Sequence, residues 1–96
     1  MIYANVLLSV KDPQDVPEIK GLLREQRRLS LQEPGCERFE LYHSTVDPKV
    51  FILVERWTDQ AALDTHRKAH AYTTIYAPKV LPKVDRTPHP SELVEG

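Results

Sequence analysis

The sequence predicts an α+β fold of the ferredoxin-like type, a βαββαβ chain order with helices layered on one face of an antiparallel sheet. Three stretches carry that expectation. Ile2 to Val10 alternates with period two, placing Ile2, Ala4, Val6, Leu8 and Val10 on one face and Tyr3, Asn5, Leu7 and Ser9 on the other. Val16, Ile19, Leu22, Leu23 and Leu29 recur at three- and four-residue spacing, the signature of an amphipathic helix. Val50-Phe51-Ile52-Leu53-Val54 is a β-branched and aromatic run that ends near Trp57, just where helix-start signals appear.

Asn5 is the anomaly of the first strand. An amide between hydrophobes either bonds to nearby backbone or faces a polar cavity, because leaving it buried and unpaired costs about 1–3 kcal/mol. Lys11 to Gln14 reads as a turn. Asp15-Val16-Pro17-Glu18 then has the form of a helix start, with Asp15 as N-cap and Glu18 placed for a capping box. The helix is expected to reach about Gln32, with Arg24, Glu25, Arg27 and Arg28 as a solvated face; the alternative is a phosphate-binding patch. Pro34-Gly35 ends it.

Cys36 to Ser44 predicts a second strand with Phe39, Leu41 and His43 on one face and Arg38, Glu40 and Tyr42 on the other. Asp47-Pro48 marks the turn into the third strand. Asp59 is the natural N-cap of the next helix, and a break is expected near Ala69, followed by a second helical segment from His70 to about Val80. Pro78 predicts a kink or an early end there. Val84 to Thr87 predicts a short last strand on an edge or reaching to a partner, because Pro82, Pro88 and Pro90 remove backbone donors. Residues 88–96 are expected to form an extended tail whose Leu93 and Val94 could pack on another subunit. Two sheets packed face to face through Ile2, Val6 and Leu8 would make an isologous dimer.

Ninety-six residues suit one domain spanning 1–96, and such a chain buries only about two thirds of its unfolded surface, so a second copy would help complete the core. With Lys+Arg 13 against Asp+Glu 14, the net charge of −1 provides no long-range field for nucleic acid or an anionic membrane. The single cysteine, Cys36, excludes an internal disulfide framework and fits a reducing compartment. No apolar run approaches the roughly 20 residues of a membrane span, and Met1 leads straight into a strand. A cytoplasmic protein is expected.

The candidate chemistry gathers between Glu55 and Tyr76. His66 and His70 are four apart, a spacing used by two-histidine metal ligands, but Arg67 and Lys68 set two cations beside them and no further ligand is spaced to complete a site. His66 alone suits a general base, since imidazole titrates near neutral pH. Asn5, Trp57, Tyr72 and Tyr76 could converge around it in this topology. Trp57 by itself reads as core before catalyst, and Glu55 as the partner of a basic side chain. Cys36 reads as a small buried residue without an activating neighbour.

The pattern Glu55-x-Trp57-x-Asp59-x-x-Ala62-Leu63-x-x-His66-x-x-x-His70-x-Tyr72, preceded by Glu33-Pro34-Gly35-Cys36 and a strand with Phe39 and Leu41, resembles the antibiotic biosynthesis monooxygenase family of small dimeric α+β barrels. The resemblance runs from about Met1 to about Val84. It implies a homodimer and chemistry with no cofactor, neither metal nor flavin, in which a quinol or polyphenolic substrate itself supplies electrons to dioxygen. On that basis His66 is the expected base and Asn5 the hydrogen-bond donor to the substrate oxygen. Trp57, Phe39, Tyr72 and Tyr76 are the expected aromatic walls, with His70 and Arg38 as further substrate contacts. The stretch Leu31 to Phe39 is also similar to isomerases of this fold that act on a phosphorylated autoinducer sugar, in which Arg38 or Arg67 would meet the phosphate. A haem-degrading branch of the same superfamily uses an asparagine, a tryptophan and a histidine; without gaps Asn5 matches the first, while His66 and Tyr76 stand at the other two positions. A non-catalytic dimeric ligand-binding module is the reading of a different class.

Overall fold

A computed structural model describes residues 1–95 of the chain. Strands β1 (Ile2–Val10), β2 (Cys36–His43), β3 (Val50–Trp57) and β4 (Val84–Ser91) form one antiparallel sheet in the order β2-β3-β1-β4. Helix α1 (Val16–Ser30) links β1 to β2; helix α2 (Gln60–His66) and a ten-residue π-helical segment, α3 (Ala71–Val80), link β3 to β4. This is the ferredoxin-like βαββαβ order read from the sequence.

The helices cover one face of the sheet. Beneath them, β1 contributes Val6, Leu8 and Val10, β2 contributes Phe39, and β3 contributes Phe51, Leu53 and Trp57, all buried. From above, α1 lays Ile19 and Leu23 into this layer and α3 adds Tyr76 and Val80. The stripe of Ile2, Val6 and Leu8 is therefore covered by the chain's own helices. The sequence reading gave that stripe to a second sheet; the structure leaves the opposite face open, with Leu7 41% and Tyr42 48% exposed. Both faces of β1 carry apolar residues, so alternation alone does not say which one the helices take.

Four boundaries differ from expectation. Helix α1 ends at Ser30, and Asp15 makes no side-chain cap bond; Asp12 instead accepts from the Gln14 amide in a short 3-10 turn at Pro13–Asp15. Pro78 does not end α3, which runs on to Val80. A proline ring in α winding meets the carbonyl four residues back, and the wider π turn relieves that contact. β4 continues to Ser91 rather than stopping at Thr87, so residues 88–91 of the expected tail are strand. Pro88 and Pro90 lie two apart opposite Val6 and Ala4, so both missing donors point to the same side, the free edge. Gly96 lies outside the described residues.

The turn between α1 and β2 is set by Gly35, whose φ of +83° is left-handed. A Cβ there would lie 2.5 Å from Ala62 Cβ and 2.8 Å from Thr58 Oγ1, so glycine also lets this turn lie against the start of α2. The Gly35 carbonyl accepts from the Thr58 amide at 2.9 Å, tying the two together. Gly21, inside α1, has open space around its missing side chain. Gly35→Ala is expected to cost about 1–3 kcal/mol, whereas Gly21→Ala gains about 0.5–1 kcal/mol through helix propensity. Thermal melts of the two variants read both signs.

Candidate active site

The site is built where the open end of the sheet meets α2 and α3. Asp59 caps α2, its side chain accepting from the Ala62 amide at 2.8 Å, and the short helix carries His66 inward on its last turn. His66 is 3% exposed. Its ring lies over Trp57 with centroids 4.4 Å apart, and Phe39 and Tyr72 meet it edge-on at 6.1 and 5.7 Å. Its Nδ1 is 2.7 Å from Glu33 Oε1, on the α1–β2 turn that Gly35 presses against α2. A carboxylate only accepts, so Nδ1 carries the proton and Nε2 is left as the basic nitrogen.

Beside His66, β3 places Glu55 in the helix-facing row between Leu53 and Trp57, where its Oε1 accepts from Trp57 Nε1 at 3.0 Å. Burial pushes the Glu55 carboxyl above its ordinary range, opposed by the Trp57 hydrogen bond and by His66, Arg86 and Arg67. From β4, Arg86 Nε donates to the Tyr76 hydroxyl at 3.1 Å. Burial raises the Tyr76 phenol while Arg86 pulls it back, so the phenol keeps its proton as a donor. From α1, Gln26 enters the same space, 1% exposed, and its Oε1 has no hydrogen-bond partner among the described residues. Such an unpaired buried acceptor costs about 1–3 kcal/mol.

These groups surround a cavity of about 30 Å³ floored by Ala4 and Val6 and walled by Gln26, Glu55, His66, Tyr72 and Tyr76, with Arg67 and Arg86 beside them. It holds little more than a water molecule. A larger depression of about 670 Å³ lies between α1 and β2, flanked by Lys20, Arg24, Arg27 and Arg28, but it is an open surface with no buried polar group facing it. The chemistry is concentrated in the smaller space.

The fold brings His66, Tyr72 and Tyr76 together as the sequence suggests. Trp57 and Phe39 stand behind His66 and do not line the cavity. Asn5 and Arg38 are elsewhere, on the open face of the sheet, where Asn5 Nδ2 donates to Ser91 Oγ at 3.1 Å and Arg38 donates to Glu40 at 2.7 Å. The odd and even positions of a strand face opposite ways, and helix cover took the even side of β1. His70 is exposed and opens α3, while His66 ends α2, so the two histidines do not share a helix face. Among the described residues no three His, Cys, Asp or Glu side chains converge as metal ligands. Cys36, held in its thiol form by a pKa pushed up to about 11, chiefly by burial, accepts the role of a packed side chain.

A profile of the antibiotic biosynthesis monooxygenase family matches residues 1–77. The chain belongs to that family. Among solved structures, one antibiotic biosynthesis monooxygenase is 26% identical with a TM-score of 0.85, covering 97% of this chain and 99% of that one. A Mycobacterium tuberculosis protein is 26% identical with a TM-score of 0.81 over 99% and 98% of the two chains. A Bacteroides thetaiotaomicron protein of unknown function, at 22% identity and a TM-score of 0.87 over 96% of each chain, shares the fold. No curated protein sequence matches the chain significantly.

Residue spacing does not single out Glu33, Gln26 or Arg86 as members of this candidate site. Glu33 is 33 residues from His66 and Gln26 sits inside a helix whose other buried positions are mostly apolar. The one available signal was a glutamine in the Ile19–Leu23 row, seven residues after Ile19.

Glu55 gives a pH-dependent test. A carboxyl with a raised folded pKa contributes stability that is present below its unfolded pKa and is lost as pH rises through the folded value. Glu55→Gln keeps an acceptor for Trp57 Nε1 and carries no charge. The variant is expected to melt several degrees above the parent at pH 8, with the gap closing as pH falls toward 4. A pH series of melting temperatures checks it.

Proposed function

We propose that this protein is a cofactor-independent monooxygenase of a quinol or polyphenolic small molecule, with His66 as the general base. The observation that carries the reading is the pairing of buried His66 with half-buried Glu33, whose Nδ1 bond at 2.7 Å leaves Nε2 to take a proton beside an aromatic-walled cavity. Family membership supports a small-molecule oxygenase scaffold.

His66 Nε2 would take a proton from a substrate hydroxyl, and the imidazolium so formed is stabilised by Glu33. The electron-rich ring carbon of the anion then bonds to dioxygen. The O–O bond breaks as two substrate electrons pass to it, one oxygen stays as a ring carbonyl, and the other leaves as water. A quinol and dioxygen give a hydroxyquinone and water, so no outside reductant is needed. The Arg86 guanidinium would face the charge that moves onto oxygen, in a site largely closed to water.

A ring is far larger than the present cavity. Access requires Tyr72 and Arg67 to swing outward, and both lie on the turn and π segment that follow α2. π winding is frequent at functional sites because it leaves the backbone less evenly bonded than α winding.

Oxygen uptake by the purified protein on a panel of quinols tests the assignment. His66→Ala is expected to lower kcat about 10²- to 10⁴-fold, and Glu33→Gln about 10- to 100-fold. Unchanged uptake in His66→Ala would remove it as the base. Arg67 and Arg86 at the cavity also suit an anionic group, which favours the phosphorylated keto-sugar isomerase as the second reading. Turnover of such a sugar without oxygen would support that reading.

We also propose that the functional unit is a homodimer formed through the open sheet face, where Leu7 and Tyr42 are exposed beside Ile52 and Val54. Light scattering is expected to give twice the chain mass, and Leu7→Lys to halve it. A monomeric parent protein would remove the proposal.

A further inference from the structure

Gln26 is the polar group that neither the packing of the fold nor the proposed base explains. It occupies the sheet-facing row of α1 with Ile19 and Leu23, positions filled by apolar side chains that bury well. A methionine or leucine would serve packing there without a desolvated amide. Its Oε1 is buried and unpaired among the described residues, and the Gln26 side chain borders the cavity from the α1 side while His66 borders it from the end of α2. Ser30 Oγ, one turn further on, is also unpaired but does not line the cavity, and a helical serine can turn its hydroxyl to the carbonyl four residues back.

Two hydrogen-bonding capacities are therefore free among the groups that line the cavity with His66. Gln26 Oε1 can accept, and the Tyr76 hydroxyl, which already accepts from Arg86, keeps its own hydrogen to donate. One group satisfies both at once: a hydroxyl, which donates to the first and accepts from the second. A carbonyl, an ether or a methyl group would leave Gln26 unpaired.

We propose that Gln26 selects substrates with a second, un-ionised hydroxyl, so that the site takes dihydroxylated arenes in preference to simple phenols. The first hydroxyl faces His66 and the second donates to Gln26 Oε1. This deepens the monooxygenase reading and rests on it for the role of the first hydroxyl only. If the amide is turned about, its nitrogen faces the cavity and the preference shifts to an acceptor, which the test below reads as the opposite result.

The test is equilibrium binding under anaerobic conditions, by titration calorimetry, of hydroquinone and of 4-methoxyphenol, which keeps the second oxygen but cannot donate from it. The wild-type protein is expected to bind hydroquinone about tenfold or more tightly than the ether, the ratio that one hydrogen bond supports. In Gln26→Met, which is unbranched and close in shape, and in Gln26→Leu, that ratio collapses toward one while the melting temperature stays level or rises. A ratio equal to one in the parent, a ratio unchanged in both variants, or binding of neither probe overturns the proposal. Failure of both variants to fold makes Gln26 structural and overturns it equally. Turnover plays no part in the ratio. Absence of oxygen uptake with the ratio intact would remove the monooxygenase reading and keep Gln26 as the selecting residue.

Discussion

The contact between Glu33 and His66 is the constraint on which the site depends. A buried imidazole needs a partner for its ring N–H, and Glu33 reaches it because the turn after α1 folds against the first turn of α2. That approach needs Gly35, because any Cβ would meet Ala62, and it needs the Gly35 carbonyl to hold the Thr58 amide. Helices α1 and α2 are therefore registered against each other by the same turn that orients His66. Stability and chemistry share one small piece of backbone.

The price of the site is visible in the core itself. Glu55 stands in a β3 row whose neighbours are Leu53 and Trp57, and Gln26 stands in an α1 row with Ile19 and Leu23. Each position would be filled more stably by a hydrocarbon, since a buried carboxyl loses hydration and a buried amide without a partner loses a hydrogen bond. Glu55 is compensated in part by Trp57 Nε1, which explains why the tryptophan stays in place behind His66 without touching the cavity. Gln26 has no such compensation among the described residues. Polar residues that break an apolar row at the same end of a sheet, from different elements, mark a common space more firmly than any one of them alone.

Much of the fold was legible because it rests on local rules. Period-two alternation in β1, three-and-four spacing in α1, and Asp59 ahead of Ala61-Ala62-Leu63 are each written within a dozen residues. His66 and the two tyrosines were legible for the same reason, since they follow one capped helix and its continuation. The partners of His66 were not. Glu33 reaches it through a turn whose conformation is decided by packing on α2, and Arg86 through the pairing of β4 with β1. Asn5 shows the opposite failure: its strand was placed correctly, but with Val6 and Leu8 on one side and Leu7 on the other, parity did not fix which side meets the helices. Pro78 misled because the rule against helical proline is a rule about α winding.

That π winding bears on how the closed site can work. Tyr72 and Tyr76 are four apart, with ring centroids 5.2 Å from each other, and both line the cavity from the same segment. In an α-helix such a pair would be locked by an even ladder of bonds to the carbonyls four back. In the π segment the bonding reaches five back, Pro78 supplies no amide, and the segment is joined to α2 only through the short turn at 67–70. The sheet side of the cavity is fixed by paired strands, and Glu33 and His66 are fixed by the Gly35 turn. Tyr76 is held in the core and by Arg86, whereas Tyr72 is half-buried, so the opening proposed above falls to Tyr72 and leaves His66 in place beside it.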